Sequence, residues 1–183
     1  GFSVLMLSST LLDRNKLRLE SLPHLQSLSN LTGERTNAGI LHRNKVLYLA
    51  GVEKPSLPTI YSRFGKTAPA HCCSLGKAML AHLPVSDVKT FLSVEPLLAQ
   101  TPNSITQVDK LLEDLEATRQ RGYATDIREH MVNSCCIAAP IFDGHDRPVG
   151  AIGISGKEIE PIMVHVDTLL RAAELISHGL HQA

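Results

Sequence analysis

Two apolar runs, Ser134 to Phe142 and Pro148 to Ser155, flank the turn-forming string Asp143-Gly144-His145-Asp146. That pattern predicts a β-hairpin, and strands this apolar need cover from other elements. A second hairpin is predicted upstream, where Arg35 to Leu41 and Lys45 to Val52 flank His42-Arg43-Asn44. The rest of the chain supplies helices to cover such a sheet. Val108, Leu111, Leu112 and Leu115 follow the i, i+3, i+4, i+7 rule and predict a helix from Thr106 to Arg121. Thr106 with Asp109 reads as a capping box, Arg119 and Arg121 suit the C-terminal dipole, and Gly122 ends the helix before a strand opening at Tyr123 to Asp126.

Leucines 12, 17, 19, 22, 25, 28 and 31 recur at short helical spacings and predict an N-terminal helical segment. Pro23 is expected to kink it, or to sit in the first turn of a helix capped by Ser21, and Gly33 to stop it. Short helices are expected at Ser74 to His82 and Ser86 to Leu92, and a surface loop from Ser93 to Ile105. Leu57 to Ser62 contains Pro58 and reads as an edge strand or loop. Ile162, Val166, Leu169, Leu170, Ala173 and Ile176 predict one final amphipathic helix. The fold class is therefore α+β: an antiparallel sheet flanked by helices.

The chain has 183 residues, a size suited to one ordinary domain. Lys+Arg and Asp+Glu are 18 each, so the formal net charge is zero, which argues against direct contact with nucleic acid. Trp is absent and aromatics are 4%, which argues against base stacking. No apolar run reaches the ~18 residues of a membrane span. The start, Gly1 to Leu7, has no basic lead and no initiating Met, and is expected to lie inside a longer protein. The cysteines form two adjacent pairs, Cys72-Cys73 and Cys135-Cys136. Adjacent cysteines rarely bridge one another, and a bridge between the pairs is conceivable. Without secretory signals, reduced thiols in a cytoplasmic protein are the expectation.

Eight strings, taken in order, now become specific. They are Thr32-Gly33-Glu34, the run Tyr61 to His71, Leu75-Gly76-Lys77-Ala78, Thr101 to Thr106, Arg121 to Asp126, Glu129-His130, Cys136 to Asp143, and Ile154-Ser155-Gly156. Together they resemble the effector-binding domain of IclR-family bacterial transcription regulators, over nearly the whole chain. The resemblance implies a GAF-like fold for residues 1–183 as a single effector-binding domain. It also implies a winged helix-turn-helix DNA-binding domain N-terminal to this chain. The implied protein is a cytoplasmic repressor or activator, a homodimer or homotetramer, that binds operator DNA and responds to a small metabolite, often a carboxylate. No cofactor, no metal, no catalytic residue and no membrane is implied.

Carried over residue by residue, the resemblance implies a ligand pocket built from Ser74, Leu75, Gly76, Asp126, Cys136, Gly153 and Ser155. Ser74-Leu75-Gly76 precedes a helix, where backbone N–H groups can meet an anion. Cys135 and Cys136 must face opposite sides of their strand, so one can face the pocket; alone, each reads as a small buried hydrophobe. Asp126 can accept from a ligand hydroxyl or cap the next turn. Ser155 can donate a hydrogen bond or simply end its strand. Members that bind small oxo-acids carry alanine at Leu75 and serine at Gly153, and Asn133-Ser134-Cys135 departs from the usual glycine-containing turn. These departures imply a larger or less polar ligand.

Two other classes compete. A thiol-dependent enzyme on a GAF-like scaffold, such as a sulfoxide reductase, would need a low-pKa thiolate, and His71 could form a dyad with Cys136 or Cys73. His71, Cys72 and Cys73 together fit tetrahedral zinc poorly. The third class is a bare oligomerisation module. The apolar stretch Leu5 to Leu12 supports self-association in either non-enzymatic case.

Overall fold

A computed structural model describes residues 14–54, 65–93 and 96–181. The stretches Leu5 to Leu12 and Leu57 to Ser62 lie outside the described residues, as do Tyr61 to Phe64. The elements are α1 (Lys16–Thr32), β1 (Arg35–His42), β2 (Lys45–Val52), β3 (Thr67–Pro69), a 3-10 turn (Ala70–Cys72), α2 (Ser74–Leu80) and α3 (Val85–Ser93). Then come α4 (Val108–Arg121), β4 (Ala124–Ile127), β5 (Cys135–Phe142), β6 (Pro148–Gly156), α5 (Glu160–Met163) and α6 (Val166–His181).

The six strands form one antiparallel sheet in the order β3-β2-β1-β6-β5-β4. Both predicted hairpins are present, β1–β2 across Arg43-Asn44 and β5–β6 across 143–147. Strand alternation then sorts residues by size. Cys135, Ile137, Ala139 and Ile141 of β5, with Ile152 and Ile154 of β6, face α1, α5 and α6 and join Leu17, Leu25, Leu28, Leu169 and Ile176 in one core. The alternate positions Ala138 and Ala151 face α2 and α4, beside Leu75, Met79, Leu80, Leu111 and Leu115. Each large aliphatic so buried contributes about 1.5–3 kcal/mol. Small residues on the second face let α2 approach the sheet closely and leave room beside it.

Four sequence expectations need correction. The chain enters α1 at Asn15, whose side chain accepts from the Arg18 N–H at 2.9 Å, so Asn15 and not Ser21 is the cap. The helix runs through Pro23, and Ser21 Oγ donates to the Leu17 carbonyl at 2.6 Å. One missing backbone hydrogen bond at Pro23 is outweighed by the buried stripe Leu17, Leu25 and Leu28. Gln107 stands at the N-cap of α4 with no side-chain bond, so Thr106 and Asp109 form no capping box. The final helix is two, broken at 164–165. The three-residue edge strand β3, which ends in Pro69, went unread because it is too short to carry a period. Gly33 and Gly122 do end their helices, at φ of 67° and 83°.

Just past α2, His82 stacks edge-on against Phe142, ring centroids 4.9 Å apart, and its buried Nε2 has no hydrogen-bond partner. Burial first, and the Arg119 charge second, hold its pKa below 6.5. The contribution of neutral His82 to stability is fully present above about pH 6.5 and is lost as pH falls through the depressed folded value. His82→Phe removes that linkage. Urea denaturation from pH 7.5 to pH 5 is expected to show wild type losing stability relative to the variant. His71 is depressed likewise by burial but is common to both proteins and cancels. Parallel curves would refute the assignment.

Candidate functional site

Pairing of β4 with β5 sets Asp126 opposite Cys136, and pairing of β5 with β6 sets Cys136 opposite Ser155. Pairing of β1 with β6 adds Asn37 opposite Gly153. The N-terminal turn of α2 packs over these positions, and a cavity remains between helix and sheet. Ser74, Leu75, Asp126, Cys136, Gly153 and Ser155 all line it. Of the residues taken from the resemblance, only Gly76 does not. A Cβ at Gly76 would stand 2.2 Å from the Ala70 carbonyl oxygen, so this glycine serves the contact between the 3-10 turn and α2. The cavity also takes in Asn37, Tyr48, Cys73, His130, Met131 and Ser134, none of which was among the pocket residues carried over from the resemblance. Asn37 carried a signal, as a polar residue in the middle of a strand with buried neighbours.

Both readings of Asp126 meet in one place. It is 1% exposed, and its Oδ1 accepts from the Glu129 N–H at 2.8 Å and the His130 N–H at 3.3 Å, which caps the turn after β4. It also borders the cavity. Cys136 faces the cavity while Cys135 lies in the opposite core, as alternation requires. The Cys136 thiol donates to Ser155 Oγ at 3.2 Å and lies 3.5 Å from Ser134 Oγ. No disulfide joins Cys72, Cys73, Cys135 or Cys136.

The lining is donor-rich: the hydroxyls of Tyr48, Ser74, Ser134 and Ser155, the Asn37 amide and the His130 imidazole. Free volume is about 20 Å³, room for one water. A Cβ added at Gly153 would stand 2.7 Å from the Ile137 carbonyl oxygen, 3.2 Å from Ala138 Cβ and 3.3 Å from Leu75 Cδ2, so β5 first and Leu75 second close the space above this glycine.

The thiols of Cys72, Cys73 and Cys135 are poor nucleophiles. Burial, with the Asp126 and Glu129 charges, pushes Cys72 up to about 12, and burial raises Cys73 and Cys135 as well. His71 Nε2 donates to the Leu98 carbonyl at 3.2 Å, so that nitrogen is engaged with backbone and not with a thiol. Among the described residues no helix is long and apolar enough to cross a membrane.

Residues 9–177 match the family described as the C-terminal domain of the bacterial transcriptional regulator IclR. The chain is 33% identical over 175 residues to the glycerol operon regulatory protein of Streptomyces coelicolor, covering 96% of this chain and 65% of that protein. It is 34% identical over 158 residues to the transcriptional repressor IclR of Escherichia coli K12, covering 85% of this chain and 58% of that protein. The crystal structure of Thermotoga maritima IclR matches the fold with a TM-score of 0.89 and 32% identity, over 98% of this chain and 74% of that one. The chain thus spans about two thirds or less of the length of these curated relatives.

Proposed function

The chain belongs to the IclR family of bacterial transcriptional regulators, and on that premise we propose that it is the small-molecule sensing domain of a cytoplasmic, DNA-binding repressor or activator. It performs no catalysis; it changes operator affinity when a ligand occupies the cavity between α2 and the sheet. The observation that carries this reading is convergence. Ser74, Leu75, Asp126, Cys136, Gly153 and Ser155 come from four separate elements and border one cavity. The ligand is a small carboxylate-bearing metabolite. Hydroxyls and the His130 imidazole offer donors to its carboxylate, and Asp126 accepts from a hydroxyl on it. Operator contact belongs to a winged helix-turn-helix domain outside this neutral chain, and the working unit is a homodimer or homotetramer.

A melting screen against a panel of small metabolite acids tests the reading. A true effector at a hundredfold excess over its Kd stabilises the fold by about 2.7 kcal/mol, or roughly 5–10 °C for a chain of this size. Cys136→Val adds a volume close to that of the one water the cavity holds and weakens that shift while the domain stays folded. A stabilising acid whose effect survives Cys136→Val unchanged would place the site elsewhere.

A further inference from the structure

Two walls of the cavity are tied together by one buried ion pair. The first wall is α2, which presents Ser74 and Leu75; the second is the connection from Arg128 to Ser134, which presents His130, Met131 and Ser134. Lys77 follows Ser74 by one helical turn and is 0% exposed. Its Nζ donates to Glu129 Oε1 at 2.7 Å and Oε2 at 2.9 Å, and lies 3.0 Å from Asp114 Oδ2 on α4. Glu129 is itself well seated. Its carbonyl accepts from Ser104 Oγ at 2.6 Å and Thr101 Oγ1 at 3.0 Å, and its N–H is held by Asp126. The pair therefore joins the helix wall to a firmly placed point at the root of the loop wall.

A buried ammonium is a poor way to stabilise a helix whose other neighbours are Leu75, Ala78, Met79 and Leu80, because an apolar side chain of similar volume does as well. The charge needs another reason. A cavity with room for one water admits no effector until a wall moves. Asp114 supplies what such a movement needs: if the Glu129 carboxylate lets go as the loop beyond it moves, Lys77 keeps a carboxylate on α4 and is never a lone buried cation.

We propose that Lys77 and Glu129 form a latch between α2 and the 128–134 connection, and are positioning residues that set how readily the ligand cavity opens. This rests on the reading that the cavity is the ligand site, but its test requires no ligand. Cys136 lies at the cavity between Ser134 and Ser155 and is only partly buried, so its wild-type rate is the baseline and acceleration above that rate reports opening. Cys135, its neighbour in sequence, is 1% exposed in the core under α1 and α6 and reports global unfolding.

The experiment is iodoacetamide labelling of the native protein, resolved at the two sites by tandem mass spectrometry and run at several pH values to separate opening from thiol ionisation. Each site is compared with itself. Glu129→Gln is expected to accelerate Cys136 by a factor at least tenfold larger than its effect on Cys135. Loss of mere structural support would accelerate both sites together, and that result overturns the proposal, as does an unchanged Cys136. Should Glu129→Gln fail to fold, Glu129→Asp decides, because it keeps the charge and withdraws it from Lys77 by one methylene. The latch requires it to accelerate Cys136 by a larger factor than Cys135; equal factors overturn it. Failure of the metabolite screen would sink the ligand reading and leave these rates standing.

Discussion

Lys77→Met is expected to destabilise the domain by about 3–5 kcal/mol, the range for removing one partner of a buried ion pair. Methionine matches the lysine stem in length, so little packing is lost. What changes is charge: Glu129 and Asp114 lose the cation they share, next to buried Asp126. Glu129 already has its pKa raised by burial, with Asp126 and Asp114 adding to the rise and Lys77 opposing it. Without Lys77 the rise is larger. A carboxyl raised in the folded state contributes stability below its unfolded value near 4.5 and loses it as pH climbs through the folded value. The deficit of Lys77→Met should therefore be greater at pH 8 than at pH 5. The double variant Lys77→Met/Glu129→Leu should recover most of it, because an apolar pair replaces the ionic one. Urea denaturation of the three proteins at both pH values measures this. A single variant within about 1 kcal/mol of wild type would mean that the pair is far better solvated than its burial implies.

Sequence alone could reach the sheet because its signals are local. A turn string between two apolar runs specifies each hairpin, and Gly33 and Gly122 each take a left-handed conformation that other residues resist. The Lys77–Glu129 pair was not legible in that way. Its members are 52 residues apart, and no periodicity links a helix to a loop at that distance. A weaker signal was present in Leu75-Gly76-Lys77-Ala78-Met79-Leu80, where a lysine interrupts an apolar run. Such a residue either turns to solvent or is paired inside, and only the fold decides which. Asp126 was ambiguous for a different reason: one carboxylate both caps a turn and borders the cavity, so neither sequence reading excluded the other. Leu75 and Gly153 looked like two independent departures from the oxo-acid binders. In the fold they are neighbours, since a Cβ at Gly153 would stand 3.3 Å from Leu75 Cδ2, and still nearer to Ile137 and Ala138 of β5.

Among the described glycines, Gly76→Ala should be the most damaging substitution, costing about 3 kcal/mol or more. Its φ is not the cause, since Gly76 lies inside α2 and outside the left-handed region. The cause is contact. An added Cβ would stand 2.2 Å from the Ala70 oxygen, 2.5 Å from its Cα and 2.7 Å from its carbonyl carbon. All three are backbone atoms, so no rotamer change relieves the clash; the 3-10 turn must move off α2. That turn precedes Cys73 and Ser74, two residues of the cavity wall, and the site is distorted with it. The two possible roles of Gly76 thus predict different things. A glycine needed only to bring an amide to a ligand would give a folded alanine variant with a weakened ligand response. A glycine needed for the turn-to-helix contact lowers the melting temperature with no ligand present, by roughly 6–12 °C for 3 kcal/mol in a chain of this size. Calorimetry of the unliganded variant separates them, and a melting temperature equal to that of wild type would return Gly76 to the ligand site.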